Sequence, residues 1–222
     1  MCFSAEASFG ASAVISMVGL VAYRKSVTMP QKVFALIPLF FALQQFLEGF
    51  LWVVLRNGAY VSWKYPLTIG FLIFAWLIWP LFIPLSMYLQ EKNKIRKRIL
   101  LVFQGIGIFM AGGFIYVMLF HNVEASIAKY HINYAYDFNP PFGWFFGLLY
   151  LLPTVVSMMV SSVKRMWILG IINISSYMFS RIFFFGQVIS VWCFFGAIAS
   201  ITVLYIIVES RKTVEAQDRI MT

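Results

Sequence analysis

The sequence predicts an all-α membrane protein: a single bundle of seven transmembrane helices, N-terminus outside and C-terminus cytoplasmic. Three observations carry that reading. Hydrophobic residues make up 62% of the 222-residue chain and charged residues 11%; soluble domains average about 25% charged, so a water-facing surface could not be covered. Seven apolar stretches approach the roughly 20 residues that a helix needs to cross a bilayer. The lysines and arginines fall almost entirely between alternate pairs of those stretches.

The spans are expected over residues 8–23, 33–55, 65–89, 99–120, 144–163, 166–185 and 188–208. The first is short and is followed, not preceded, by its positive residues Arg24 and Lys25. That order is wrong for a cleavable signal peptide and right for a retained helix. Between the fourth and fifth spans, residues 121–143 form the one long extracytoplasmic loop, with both histidines and the turn-forming Asn139-Pro140-Pro141. Only Gly186 and Gln187 separate the sixth and seventh spans, which predicts a tight antiparallel pair. The chain shows no internal repeat, and an odd number of spans argues against a simple inverted-repeat transporter.

Orientation follows from charge. All of the 17 lysines and arginines except Arg56, Lys64, Lys129 and Arg181 lie in the first, third and fifth connections or the C-terminal tail. The positive-inside rule puts that set in the cytoplasm, where it meets anionic lipid headgroups. The net charge of +9 therefore points to the bilayer as partner and not to nucleic acid.

Polar residues within the spans gather toward the outer side. A charged side chain in a span costs about 2.5 to 3.5 kcal/mol on insertion scales and faces the bundle interior. Glu48 is expected roughly 10 Å below the outer end of the second span and Arg181 roughly 8 Å below that of the sixth, at 1.5 Å per residue. The two share a layer, either as a structural ion pair or as parts of one polar cavity. Gln44, Gln45, Glu48 and Trp52 recur at helical spacing on one face, and amide donors help a carboxylate stay ionised. Asn173, Ser176, Tyr177 and Ser180 form a second stripe, and Ser190, Trp192 and Cys193 open the seventh span.

Two chemistries fit these residues. Cys2, made N-terminal by loss of Met1, would offer a nucleophile with His131 or His121 as base; a Cys2–Cys193 disulfide or two buried thiols is the alternative. His131 with Glu48, and with acidic or thiol partners, could hold zinc or another divalent metal, but no HExxH or paired CxxC fixes a geometry. No phosphate-binding loop, nucleophile elbow or dinucleotide turn is present. The seventh span has no lysine for a retinal Schiff base. Alkaline-ceramidase-like hydrolases hold zinc with three histidines, and this chain has 2.

The opening Met1-Cys2-Phe3-Ser4-Ala5-Glu6-Ala7-Ser8-Phe9 resembles the start of a bacterial family of multi-span membrane proteins of unknown function. Gln45-Phe46-Leu47-Glu48-Gly49 with Trp52, His131-Ile132-Asn133-Tyr134 and Ser190-Val191-Trp192-Cys193-Phe194 are similar to it as well. The resemblance implies a seven-span fold and no assigned activity. Its stretches coincide with the outer polar layer, which makes Cys2, Glu48, Trp52, His131, Tyr134, Trp192 and Cys193 the expected site, with Gln45 and Arg181 beside them. Such a pocket would bind a small molecule, lipid headgroup or metal ion for sensing or transport. The other reading is a membrane-embedded hydrolase or transferase that uses Cys2, Glu48 and His131.

Overall fold

The computed structural model describes residues 4–58, 60–128, 131–137, 143–184 and 188–221. Cys2, Lys129, Asn139-Pro140-Pro141 and the Gly186-Gln187 connection lie outside them. Among the described residues, seven helices are long and apolar enough to cross a membrane: α1 (Ala5–Lys25), α2 (Met29–Asn57), α3 (Val61–Gln90), α4 (Lys94–Phe120), α5 (Gly143–Val160), α6 (Met166–Phe183) and α7 (Val188–Lys212). A two-stranded antiparallel sheet, β1 (Val123–Ala128) and β2 (His131–Tyr136), separates α4 from α5. It defines a hairpin end of the bundle, opposite a basic end.

The loop expected over 121–143 is thus partly a β-hairpin. On β1 Val123 and Ala125 are buried, and on β2 Ile132 and Tyr134 are buried together with the neighbouring His131. The face with Val123, Ala125, Ile132 and Tyr134 packs onto the helix ends, and on the other face Glu124 and Ser126 are exposed while His131 is covered by Phe184. His121 Nδ1 and Asp137 Oδ1, 3.0 Å apart, close its base.

Helix termini follow local chemistry. Ser4 caps α1 by accepting from the Ala7 amide, Glu6 sits in the first turn, and Arg24 and Lys25 occupy the last, each matched to the helix dipole. Thr28 and Gln31 form a capping box at the start of α2, with Pro30 in its first turn. Gly58 ends α2 at φ +59, a left-handed position that glycine adopts without strain. Asn93 caps α4 by accepting from the Ile95 and Arg96 amides.

Small residues set the closest helix contacts. Ser12 Oγ donates to Ala42 O at 2.7 Å across α1 and α2, and a side chain at Gly19 would lie 2.6 Å from Leu39 Cδ2. Close approach through Gly and Ser is how helices associate where lipid removes the hydrophobic drive. Two helices widen into π turns, α3 at Ile73–Ile78 and α5 at Leu152–Val156. Pro80 follows the first and Pro153 lies in the second; each lacks the N–H that would continue the ladder. Pro84 likewise leaves the Pro80 carbonyl without an intrahelical donor. That carbonyl faces Gly107 of α4 so closely that a Cβ there would come within 2.0 Å of it.

The core falls into two clusters. Phe34, Met87, Leu100, Met166 and Val203 pack toward the basic end. Leu51, Trp52, Phe71, Trp76, Tyr134 and Cys193 pack under the hairpin. At the basic end, Glu91 ties two connections together: its carboxylate accepts from the Lys92 and Asn93 amides and from both the amide and hydroxyl of Ser162. Burial works against ionisation of Glu91, but those Ser162, Asn93 and Lys92 donors outweigh it and hold the carboxyl below its ordinary range.

Candidate functional site

Helix α2 is amphipathic in the inverted sense suited to lipid. Leu43, Phe46 and Phe50 face outward, whereas Gln44, Gln45, Glu48 and Trp52 are buried. The three- and four-residue spacing that sequence patterning identified places these polar groups on the interior face. There Gln45 Nε2 donates to Glu48 Oε2 at 3.1 Å, and Ser190 Oγ of α7 donates to Glu48 Oε1 at 2.7 Å. One turn lower, Gln44 links α2 to α3 and again to α7. Its Oε1 accepts from Trp79 Nε1 of α3 at 2.9 Å, and its Nε2 donates to Cys193 Sγ of α7 at 3.2 Å.

This layer is incompletely satisfied. Gln45 Oε1, Trp52 Nε1 and Ser8 Oγ are buried without a hydrogen-bond partner among the described residues. An acceptor, a donor and a hydroxyl of that kind fit a site for water or for a ligand's polar group, since buried polar atoms otherwise carry a cost of about 1–3 kcal/mol each. The Arg56 guanidinium lies over the Trp52 ring, 5.1 Å from its centroid.

Beside the layer is a chamber of about 1010 Å³ bounded by α2 to α7. Trp79 and Cys193, the two partners of Gln44, form part of its wall. Trp192 also lines it, flanked by Tyr177 at 5.1 Å and Tyr150 at 6.1 Å between ring centroids. The Tyr150 hydroxyl donates to Ala75 O in the α3 π turn. Ala75 and Trp76 of the α3 π turn and Thr154 of the α5 π turn line this wall, as such turns often do at functional sites.

The expected site residues divide into three groups. Trp192 and Cys193 face the chamber. Gln45, Glu48 and Trp52 stand in the polar layer, and Trp52 shares the hairpin-end cluster with Cys193 and Tyr134, the last stacked on Phe71 at 4.7 Å. His131 is buried on β2 against Phe184, 4.8 Å between centroids, and Arg181 occupies the last turn of α6. Burial lowers the His131 pKa and favours the neutral ring. Cys2 is outside the described residues. Among the described residues no three His, Cys, Asp or Glu side chains are grouped to hold a metal ion. The α6 serines serve their own helix, Ser176 bonding Ile172 O and Ser180 bonding Ser176 O.

Sequence reasoning overlooked Trp79 and Tyr150. The mid-span prolines Pro80 and Pro153, each within three residues of one of them, were the available signal, because proline inside a span opens the backbone ladder and marks irregular local structure.

No curated protein and no solved structure is similar to the chain. A family model does match, over residues 1–219. The chain belongs to a family of unknown function, DUF6629.

Proposed function

We propose that this is a multi-pass protein of the bacterial inner membrane, with the hairpin end outside and the basic end in the cytoplasm. In this reading it binds a ligand on the extracytoplasmic side, for sensing or transport. Lys and Arg asymmetry supports the orientation. One observation carries the binding: the chamber of about 1010 Å³ shares Trp79 and Cys193 with the buried Gln44 bridge. Ligand sites are concave, mostly apolar and furnished with a few placed polar groups, commonly with volumes of about 300–1,000 Å³.

Occupancy of such a chamber raises the stability of the folded state by mass action. The purified protein is therefore expected to melt at higher temperature when supplied with a fraction of bacterial membrane extract. Gln44→Leu, which removes both wall contacts, is expected to abolish that shift. If neither the water-soluble nor the lipid-soluble fraction raises the melting temperature, the binding reading is wrong.

A further inference from the structure

Resting on that reading, we infer that the chamber's ligand is an uncharged single-chain lipid, drawn sideways from the bilayer. Three features of the wall point to this class. First, among its described residues there is no Asp, Glu, Lys or Arg. A phosphate, carboxylate or ammonium placed there would lose its hydration without gaining a counter-charge. The polar groups present are amide, hydroxyl, indole and thiol, notably Asn173, Tyr177 and Cys193. They suit an alcohol, ester or carbonyl.

Second, the chamber is long and runs with the helices. Along α4 it is lined from Phe109 to Val117, and along α5 from Gly143 to Met158. At 1.5 Å per residue these stretches reach about 12 Å and about 22 Å, within one bilayer's hydrocarbon core of about 30 Å. Its other walls are aromatic and aliphatic, so water filling it would find few of the 2–4 polar partners that a buried water needs. A hydrocarbon chain matches both the shape and the chemistry.

Third, the wall reaches the bundle surface. Phe109 and Tyr116 of α4 and Trp144 and Phe145 of α5 line the chamber yet are 64%, 54%, 66% and 49% exposed. The bundle is thus open along α4 and α5, where the acyl chains of a surrounding bilayer would lie, and a chain can enter without crossing water.

Two glycines make this testable. A Cβ at Gly113 or Gly147 would meet nothing within 4 Å, and both line the chamber; Gly112 is equally open but outside the lining. Leucine at the first two starts from a Cβ in open space and narrows the chamber, and leucine at Gly112 serves as the control. The protein in lipid nanodiscs would be photolabelled with a diazirine-bearing long-chain alcohol, the matching fatty acid and the matching phosphatidylcholine. The alcohol is expected to label chamber peptides around Trp192, and Gly113→Leu with Gly147→Leu to reduce that labelling about tenfold, the equivalent of about 1.4 kcal/mol. Gly112→Leu is expected to leave it unchanged. Equal labelling in all variants overturns the inference. So does stronger chamber labelling by the acid or by phosphatidylcholine, or a melting shift produced by the water-soluble extract alone; that last result leaves the binding reading standing.

Discussion

Ser190 Oγ lies 2.7 Å from Glu48 Oε1, joining the start of α7 to the middle of α2 across 142 residues of sequence. Both side chains are fully buried. A buried hydrogen bond of this kind contributes about 0.5–1.5 kcal/mol net, and its deletion removes one donor from a buried acceptor, which costs about 1–3 kcal/mol. Ser190→Ala is expected to lower stability by about 1–3 kcal/mol on that account, measured by thermal denaturation in detergent. Ser126→Ala, on the exposed face of β1, is the comparison and is expected to change little.

Gly107 is the point at which α4 meets the freed Pro80 carbonyl. A methyl group there must push backbone and not a flexible side-chain tip, which packed interiors resist. Gly107→Ala is expected to cost about 1–3 kcal/mol or more, whereas Gly105→Ala, with open space around it, is expected to gain about 0.5–1 kcal/mol from reduced chain entropy. Paired melting curves decide this, and equal effects at the two positions would refute the close approach.

Glu91 supplies an acid-sensitive clasp at the basic end. Its folded pKa lies below the ordinary value of 4.5, so folding is favoured by the ionised form. The contribution is complete above about pH 4.5 and is lost as pH falls through the lower, folded value. Glu91→Gln is expected to remove this acid-side dependence and to lower stability near neutrality by about 1.5–3 kcal/mol. Titrating the melting temperature of both proteins between pH 3 and 7 tests it; parallel curves would exclude the clasp.

His131 acts in the opposite range. Its folded pKa is lowered from 6.5 by burial, so the unfolded chain binds more protons in the window just below that value. Stability is expected to fall as pH drops from 6.5 toward the folded pKa. His131→Phe, which retains a ring beside Phe184, is expected to flatten that slope. An unchanged slope would show that another group titrates.

Much of the architecture was legible because lipid imposes a simple rule: backbone groups must be satisfied within each span. Seven apolar runs became seven helices with small shifts at their ends, and the i, i+3, i+4 spacing of Gln44, Gln45, Glu48 and Trp52 placed one polar face correctly. The hairpin was missed because Val123, Ala125, Ile132 and Tyr134 alternate over short runs inside a segment rich in turn residues. The chamber was missed for a different reason. It is enclosed by helices whose packing depends on two π turns and on the Gly107–Pro80 contact, and no periodicity within one helix encodes how far apart two others stand.

Native mass spectrometry of the protein released gently from nanodiscs reads the chamber's occupant by its mass. One retained molecule per chain is expected, uncharged and of single-chain lipid mass, lost in the protein carrying both Gly113→Leu and Gly147→Leu and kept with Gly112→Leu. A wild-type protein that flies without any adduct, or one whose adduct is indifferent to those glycines, would contradict it.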